Sequence, residues 1–298
     1  MCGIVGLLVK KPALREQLGS MMLPMLVGMG ERGPDSAGLA VYTEDSGEYD
    51  RKFSLYAPDP AFEWSALKAA CERDLSVATT CAVVYNHCML HAPLSQAQFK
   101  GWLKKHYPGV HLLSSGKAID VYKDIGHPAE VAARYKLQDI VGTHLIGHTR
   151  MATESAVTPD RAHPFTAGED FCLVHNGSLS NPYQIRRKLE PLGIEFETDN
   201  DTEAACRSLE WRLRDGDTLE KALQSAFVEL DGFFSFLMGT RDEMALVRDP
   251  YACKPAVVAE TDDYVAVSSE FRGLAKLPDI KNANLFEPMP EELYIWKV

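Results

Sequence analysis

Hydrophobic positions along the 298 residues switch repeatedly between strand and helix spacing. The first apolar run, Ile4 to Val9, contains no polar side chain and predicts a buried strand that holds the N-terminus inside the fold. Leu14, Leu18, Met21, Met22, Met25 and Met29 then recur mostly three and four apart, which predicts an amphipathic helix. Pro24 lacks the amide hydrogen that an inner helical turn needs, so a kink or early stop is expected near Leu23. A glycine-rich turn from Gly28 to Gly38 feeds a strand at 39–43. Residues 45–140 have mixed character and read as a folded insertion. It holds a strand at 53–56, a helix at 62–72, a β-rich stretch at 76–91 and a helix at 94–106, then strands at 110–114 and 118–123 and a helix at 128–136. Strand spacing resumes at 142–149 and 170–175, followed by helices at 181–190, from about 198 to Leu213, and at 218–229. A hairpin at 232–239 and 243–248, strands at 255–260 and 263–268, a short helix at 269–276 and strands near 284–287 and 292–297 complete the pattern. That order predicts two sheets enclosed by helices.

Composition narrows the function classes. A content of 46% apolar and 24% charged residues is ordinary for a soluble globular chain. The net charge of −11, with no basic block, argues against a nucleic-acid partner. No apolar run approaches the ~20 residues of a membrane-spanning helix. The N-terminal run lacks the basic segment of a secretion signal, so a cytoplasmic protein is expected. Cys2, Cys71, Cys81, Cys88, Cys172, Cys206 and Cys253 show no C-x-x-C spacing and read as reduced thiols. His144 and His148 share a strand face, but a third ligand at suitable spacing is missing, and no metal is expected. His87, Cys88 and His91 lie in an apolar stretch and read as core.

The candidate chemistry starts at Cys2, beside Met1. If Met1 is trimmed, Cys2 carries a thiol and a free α-amine on one residue, a nucleophile joined covalently to its base. Such amines titrate near ~8 and free thiols near ~8.5, so the proton exchange is feasible at neutral pH. The alternative is an ordinary buried cysteine. Arg150 falls at a strand end, where its planar fork suits a substrate carboxylate or a structural ion pair. The Asn176 side-chain amide and the Gly177 backbone N–H can both aim at a developing oxyanion, although Asn-Gly is also a common turn. Asp201, in Thr198 to Glu203, suits a substrate ammonium or a helix cap. Arg32 and Asp35 can order the glycine-rich turn.

Cys2, the RGPDSAG turn at 32–38, HTRMATE at 148–154, HNGSLSN at 175–181 and DNDTEA at 199–204 together resemble, in order, the class II glutamine amidotransferases. These are N-terminal-nucleophile (Ntn) hydrolases. The resemblance implies an α+β fold, a four-layer αββα sandwich spanning 1–298, with an inserted α/β segment at about 45–140. It implies Cys2 as nucleophile with its amine as base, and Asn176 and Gly177 as the oxyanion hole. Arg150, with Thr153 nearby, would hold the carboxylate of glutamine, Asp201 its amine, and Arg32 the cysteine loop; no cofactor is implied. Ala162-His163-Pro164-Phe165 and Val121-Tyr122-Lys123-Asp124 look like the amidotransferase part of glutamate synthases, although Ser178 to Asn181 departs from that branch. The expected reaction is glutamine hydrolysis, with ammonia passed to separate flavin-containing subunits of the glutamate synthase or N-methylglutamate synthase type. Oligomerisation stays open. The alternatives are a non-catalytic regulatory or scaffold subunit, which intact Cys2, Arg150, Asn176, Gly177 and Asp201 disfavour, and an Ntn amidase for another amide, which the pairing of Arg150 with Asp201 disfavours.

Overall fold

The computed structural model describes residues 2–47, 50–151 and 158–298. The chain runs β1 (Gly3–Val9), α1 (Leu18–Gly28), β2 (Ser36–Tyr42), β3 (Arg51–Tyr56), α2 (Trp64–Leu75), β4 (Thr80–Val84), β5 (His87–Ala92), α3 (Gln96–His106) and β6 (His111–Gly116). It continues through β7 (Ile119–Ile125), α4 (Pro128–Arg134), β8 (His144–Arg150), β9 (Phe165–Ala167), β10 (Phe171–Leu179), α5 (Pro182–Leu189), α6 (Asp201–Arg214) and α7 (Leu219–Glu229). The last strands are β11 (Gly232–Gly239), β12 (Glu243–Arg248), β13 (Val257–Glu260), β14 (Tyr264–Ser268), β15 (Asn284–Phe286) and β16 (Leu293–Lys297).

These strands form a seven-stranded sheet, β15-β13-β14-β1-β8-β2-β7, a five-stranded sheet, β16-β12-β11-β10-β9, and a four-stranded sheet, β4-β5-β3-β6. The first run has no polar residue because both faces of β1 are buried. Successive side chains point to opposite sides of a strand. Val5, Leu7 and Val9 accordingly pack with Met22, Met25 and Leu26 of α1. Ile4 and Leu8 pack with Cys172, Val174 and Leu237 of the second sheet. On the far side of that sheet, Phe234 and Phe236 pack with Leu189, Leu209 and Leu223 of α5, α6 and α7. The layers are therefore helix, sheet, sheet, helix, an α+β sandwich.

The four-stranded sheet is a separate layer with its own core, in which Phe53, Leu90, Phe99 and Trp102 meet Trp64 and Cys71. Its strand-helix-strand-strand-helix-strand order and all-antiparallel pairing give a split βαβ unit. Residues 51–116 make up this unit. Immediately after it, β7 pairs with β2 at the edge of the seven-stranded sheet, and Val131 of α4 packs on Ala37.

Two local features differ from expectation. Of the kink or early stop expected near Leu23, the stop is absent: helix α1 continues through Pro24 to Gly28. An internal proline costs about 3 kcal/mol. Burying Leu18, Met21, Met22, Met25 and Leu26, at roughly 1.5–3 kcal/mol each, outweighs that cost. In place of a helix at 269–276 there is one short turn, Phe271–Gly273. The preceding Ser269 and Glu270 are committed to hydrogen bonds with Ile4 and Arg32 instead.

Candidate active site

Cys2 stands just before β1, which is paired along one side with β8 and along the other with β14. Its thiol is free and half-buried. Two side chains converge on its carbonyl oxygen: Arg32 Nε donates at 2.9 Å and Asn176 Nδ2 at 3.2 Å. Asn176 Nδ2 also donates to Ser269 Oγ at 3.1 Å, and the same hydroxyl accepts the Ile4 N–H at 2.9 Å. Arg32 Nη1 reaches Glu270 Oε1 at 2.7 Å, so the guanidinium is held at both ends. Hydrogen bonding from Arg32 holds the Glu270 carboxyl below its usual range. Ser269 and Glu270 were not singled out in the sequence. Their only signal is a position just after a strand antiparallel to β1.

Asn176 and Gly177 sit side by side on β10, opposite Ser235 and Phe234 of β11. Gly177 has φ +148°, and a Cβ there would lie 1.8 Å from the Phe233 carbonyl oxygen. No other residue fits that approach. On and around this strand burial disfavours protonation of three imidazoles. His148 is pushed down to about 3, His163 well below its ordinary value, and His175 also down. They are joined through neutral contacts: His148 Nε2 lies 3.1 Å from the His175 carbonyl oxygen, and His163 Nδ1 accepts the His175 N–H at 3.3 Å. A base that weak cannot hold a thiol proton at neutral pH.

Arg150 closes β8, and its Nη1 donates to the Arg161 carbonyl at 3.4 Å. Asp201 is the first residue of α6 and is not its cap. Asn200 is the cap, accepting Thr202 N–H at 2.8 Å. Asp201 Oδ2 instead accepts the Leu179 N–H at 2.9 Å, tying α6 to the end of β10 beyond Gly177. Thr153 lies outside the described residues. The structure thus joins Cys2, Arg32 and Asn176 by direct bonds and brings Gly177 and Asp201 in through β10. Arg150 arrives on β8, the neighbour of β1.

The two histidine groups weighed as metal ligands have other work. His144 stacks on Tyr42 at 4.1 Å with Nε2 3.0 Å from the Thr240 carbonyl oxygen, and Cys88 lies in the core of the split βαβ unit. Among the described residues no group of three or more His, Cys, Asp or Glu is placed to hold a metal, and no helix is long and apolar enough to cross a membrane.

Residues 148–276 match a glutamine amidotransferase domain model. The glutamine amidotransferase-like protein GlxB of Rhizobium meliloti (strain 1021) is 46% identical over 99% of this chain and 98% of its own length. The chain belongs to the glutamine amidotransferase family. A putative glutamine amidotransferase of Methanothermobacter thermautotrophicus is 33% identical over 99% of both chains. The amidotransferase fold is seen again in glutamine phosphoribosylpyrophosphate amidotransferase from B. subtilis, with a TM-score of 0.63 at 21% identity. That match covers 99% of this chain and 47% of the other.

Proposed function

We propose that this amidotransferase hydrolyses glutamine through Cys2 and passes the ammonia to a separate, glutamate-synthase-like subunit. In this reading the Cys2 thiol gives its proton to its own α-amine and attacks the carboxamide carbon. Asn176 and the Gly177 N–H stabilise the oxyanion. The amine returns the proton to the leaving ammonia, and water then cleaves the thioester to glutamate. Arg150, with Thr153, takes the glutamine carboxylate, Asp201 its ammonium, and Arg32 steadies the cysteine.

The observation that carries this reading is the convergence of Arg32 and Asn176 on the Cys2 carbonyl, which locks the nucleophile's backbone beside Asn176 and Gly177. Both Asn176 amide hydrogens are engaged, one on Cys2 and one on Ser269. Its service to an oxyanion therefore exchanges the Cys2 carbonyl for the substrate oxygen. Burial, which disfavours protonation of His148 and His163, supports the α-amine as the base. The free thiols fit a reducing cytoplasm. The acceptor assignment rests on the Ala162–Phe165 and Val121–Asp124 motifs and on a flavin-containing synthase as the expected consumer of ammonia.

The test is glutamine hydrolysis by the chain alone and with its co-encoded synthase subunits plus acceptor. Cys2→Ser should abolish hydrolysis with an unchanged circular dichroism spectrum. Mass spectrometry of active protein should find Cys2 as the first residue. Activity with Met1 retained would refute the amine as base, and an acceptor reaction that runs equally well on free ammonium alone would refute the transfer.

A further inference from the structure

Two cysteines of the split βαβ unit meet across its outer hairpin. Cys81 lies on β4, the edge strand of the four-stranded sheet, and Cys88 on its neighbour β5. The register sets Cys81 opposite Leu90 and Cys88 opposite Val83, so the two cysteines are diagonal neighbours on one face. Their Sγ atoms are 2.8 Å apart. Both thiols are free; Cys81 is half-buried and Cys88 is buried in the unit's core with Leu90 and Phe99.

The contact makes the two sulfurs unlike. The hydrogen bond from Cys88 brings the Cys81 thiol down to about 7, and the same bond, with burial, pushes Cys88 up. At neutral pH Cys81 therefore supplies thiolate, the nucleophilic form, while Cys88 keeps its proton. Buried thiols elsewhere are held protonated. Desolvation pushes Cys71 up to about 11, Cys172 up to about 12 and Cys206 up as well. Cys2 stands apart, at the start of a strand in the seven-stranded sheet.

We infer that Cys81 and Cys88 form a redox-active dithiol that exchanges with small-molecule disulfides and closes to a reversible bridge. The Cys81 thiolate attacks one sulfur of the small disulfide, forming a mixed disulfide and expelling a thiolate that takes a proton from water. Cys88 then attacks Cys81 Sγ, passes its proton to the departing sulfur and completes the Cys81–Cys88 bond. Two electrons leave the pair, and the small disulfide ends as two thiols. Cys88 needs no contact with solvent for this, because the sulfur it attacks already touches it.

The register favours a bond that also reopens. Diagonal neighbours lie about 7–8 Å apart, at the outer limit of the Cα separations a disulfide spans. Closing the bond draws β4 toward β5, which an edge strand permits, and the strain so stored makes the bridge easy to reduce. In a reducing compartment the pair stays open until small disulfides accumulate.

The test uses full-length Cys2→Ala protein, so that its outcome does not depend on glutamine hydrolysis. Oxidised glutathione is raised at pH 7.5 until the exposed Cys253 is modified, remaining thiols are blocked, and disulfides are mapped by peptide mass spectrometry. A Cys81–Cys88 crosslink should appear before Cys253 is glutathionylated, and dithiothreitol should remove it. Cys88→Ser should stop at a mixed disulfide on Cys81, formed at least threefold faster than the one on Cys253. Modification of Cys253 without the crosslink would overturn the proposal, whatever the folding of Cys88→Ser. A mixed disulfide that persists on Cys81 while Cys88 is intact would overturn it equally.

Discussion

The Cys2 carbonyl is gripped by side chains 30 and 174 positions away, and those two grips imply different kinetic roles for the residues around them. On the proposed mechanism Asn176 meets the oxyanion only as it forms. Asn176→Ala should then lower kcat by roughly 10²–10³. On the same mechanism Arg150 holds a carboxylate that is present throughout, so Arg150→Lys, which replaces a planar fork with a point charge, should mainly raise KM. Steady-state kinetics of the two variants separates these roles. Equal effects on KM alone would contradict both. At this scale the sequence was legible where a residue type is chemically distinctive: a cysteine near the terminus, an arginine at a strand end, an Asn-Gly pair. It was silent on Ser269 and Glu270, because a serine and a glutamate after a strand look like any turn. Their role exists only once β14 lies beside β1.

Elements were legible where one face carries a clear period. They were not where tertiary packing overrides local preference, as at Pro24 in α1, or where polar residues are claimed by a distant strand, as at 269–276. Sheet membership was hidden as well. Strands β6 and β7 are separated by two residues, Lys117 and Ala118, yet belong to different sheets, and nothing in their alternation marks the change. Glycines give an element-level test. Gly177→Ala forces a side chain to φ +148° and against the Phe233 carbonyl. It should destabilise the protein by at least about 1–3 kcal/mol from backbone strain. Gly101, inside α3, has open space where a Cβ would stand, with no neighbouring atom within 4 Å. Gly101→Ala should therefore stabilise by about 0.5–1 kcal/mol. Urea unfolding midpoints that move the same way in both variants would be wrong for this account.

At the scale of the whole molecule, burial makes stability depend on pH. His87, His144 and His148 are each pushed to about 3 by desolvation, against an ordinary value of 6.5. Between pH 3 and 6.5 the unfolded chain binds the extra protons, so stability rises with pH through that window and is lost on acidification. Each such histidine contributes up to about 1.4 kcal/mol per pH unit. The urea midpoint should fall clearly from pH 7.5 to 5.5, and a midpoint that holds or rises would contradict the buried neutral state. The position of β1 at the centre of its sheet also governs when the protein can work. Ile4 is bonded to Ser269, 265 positions later in the chain. At ribosomal speeds of about 5–20 residues per second, that separation takes on the order of tens of seconds to synthesise. The thiol is made early and its seat late, so a nascent or truncated chain carries the reactive group with nowhere to place it. On the proposed mechanism, glutamine in the cell is thereby protected from unfinished copies of the enzyme.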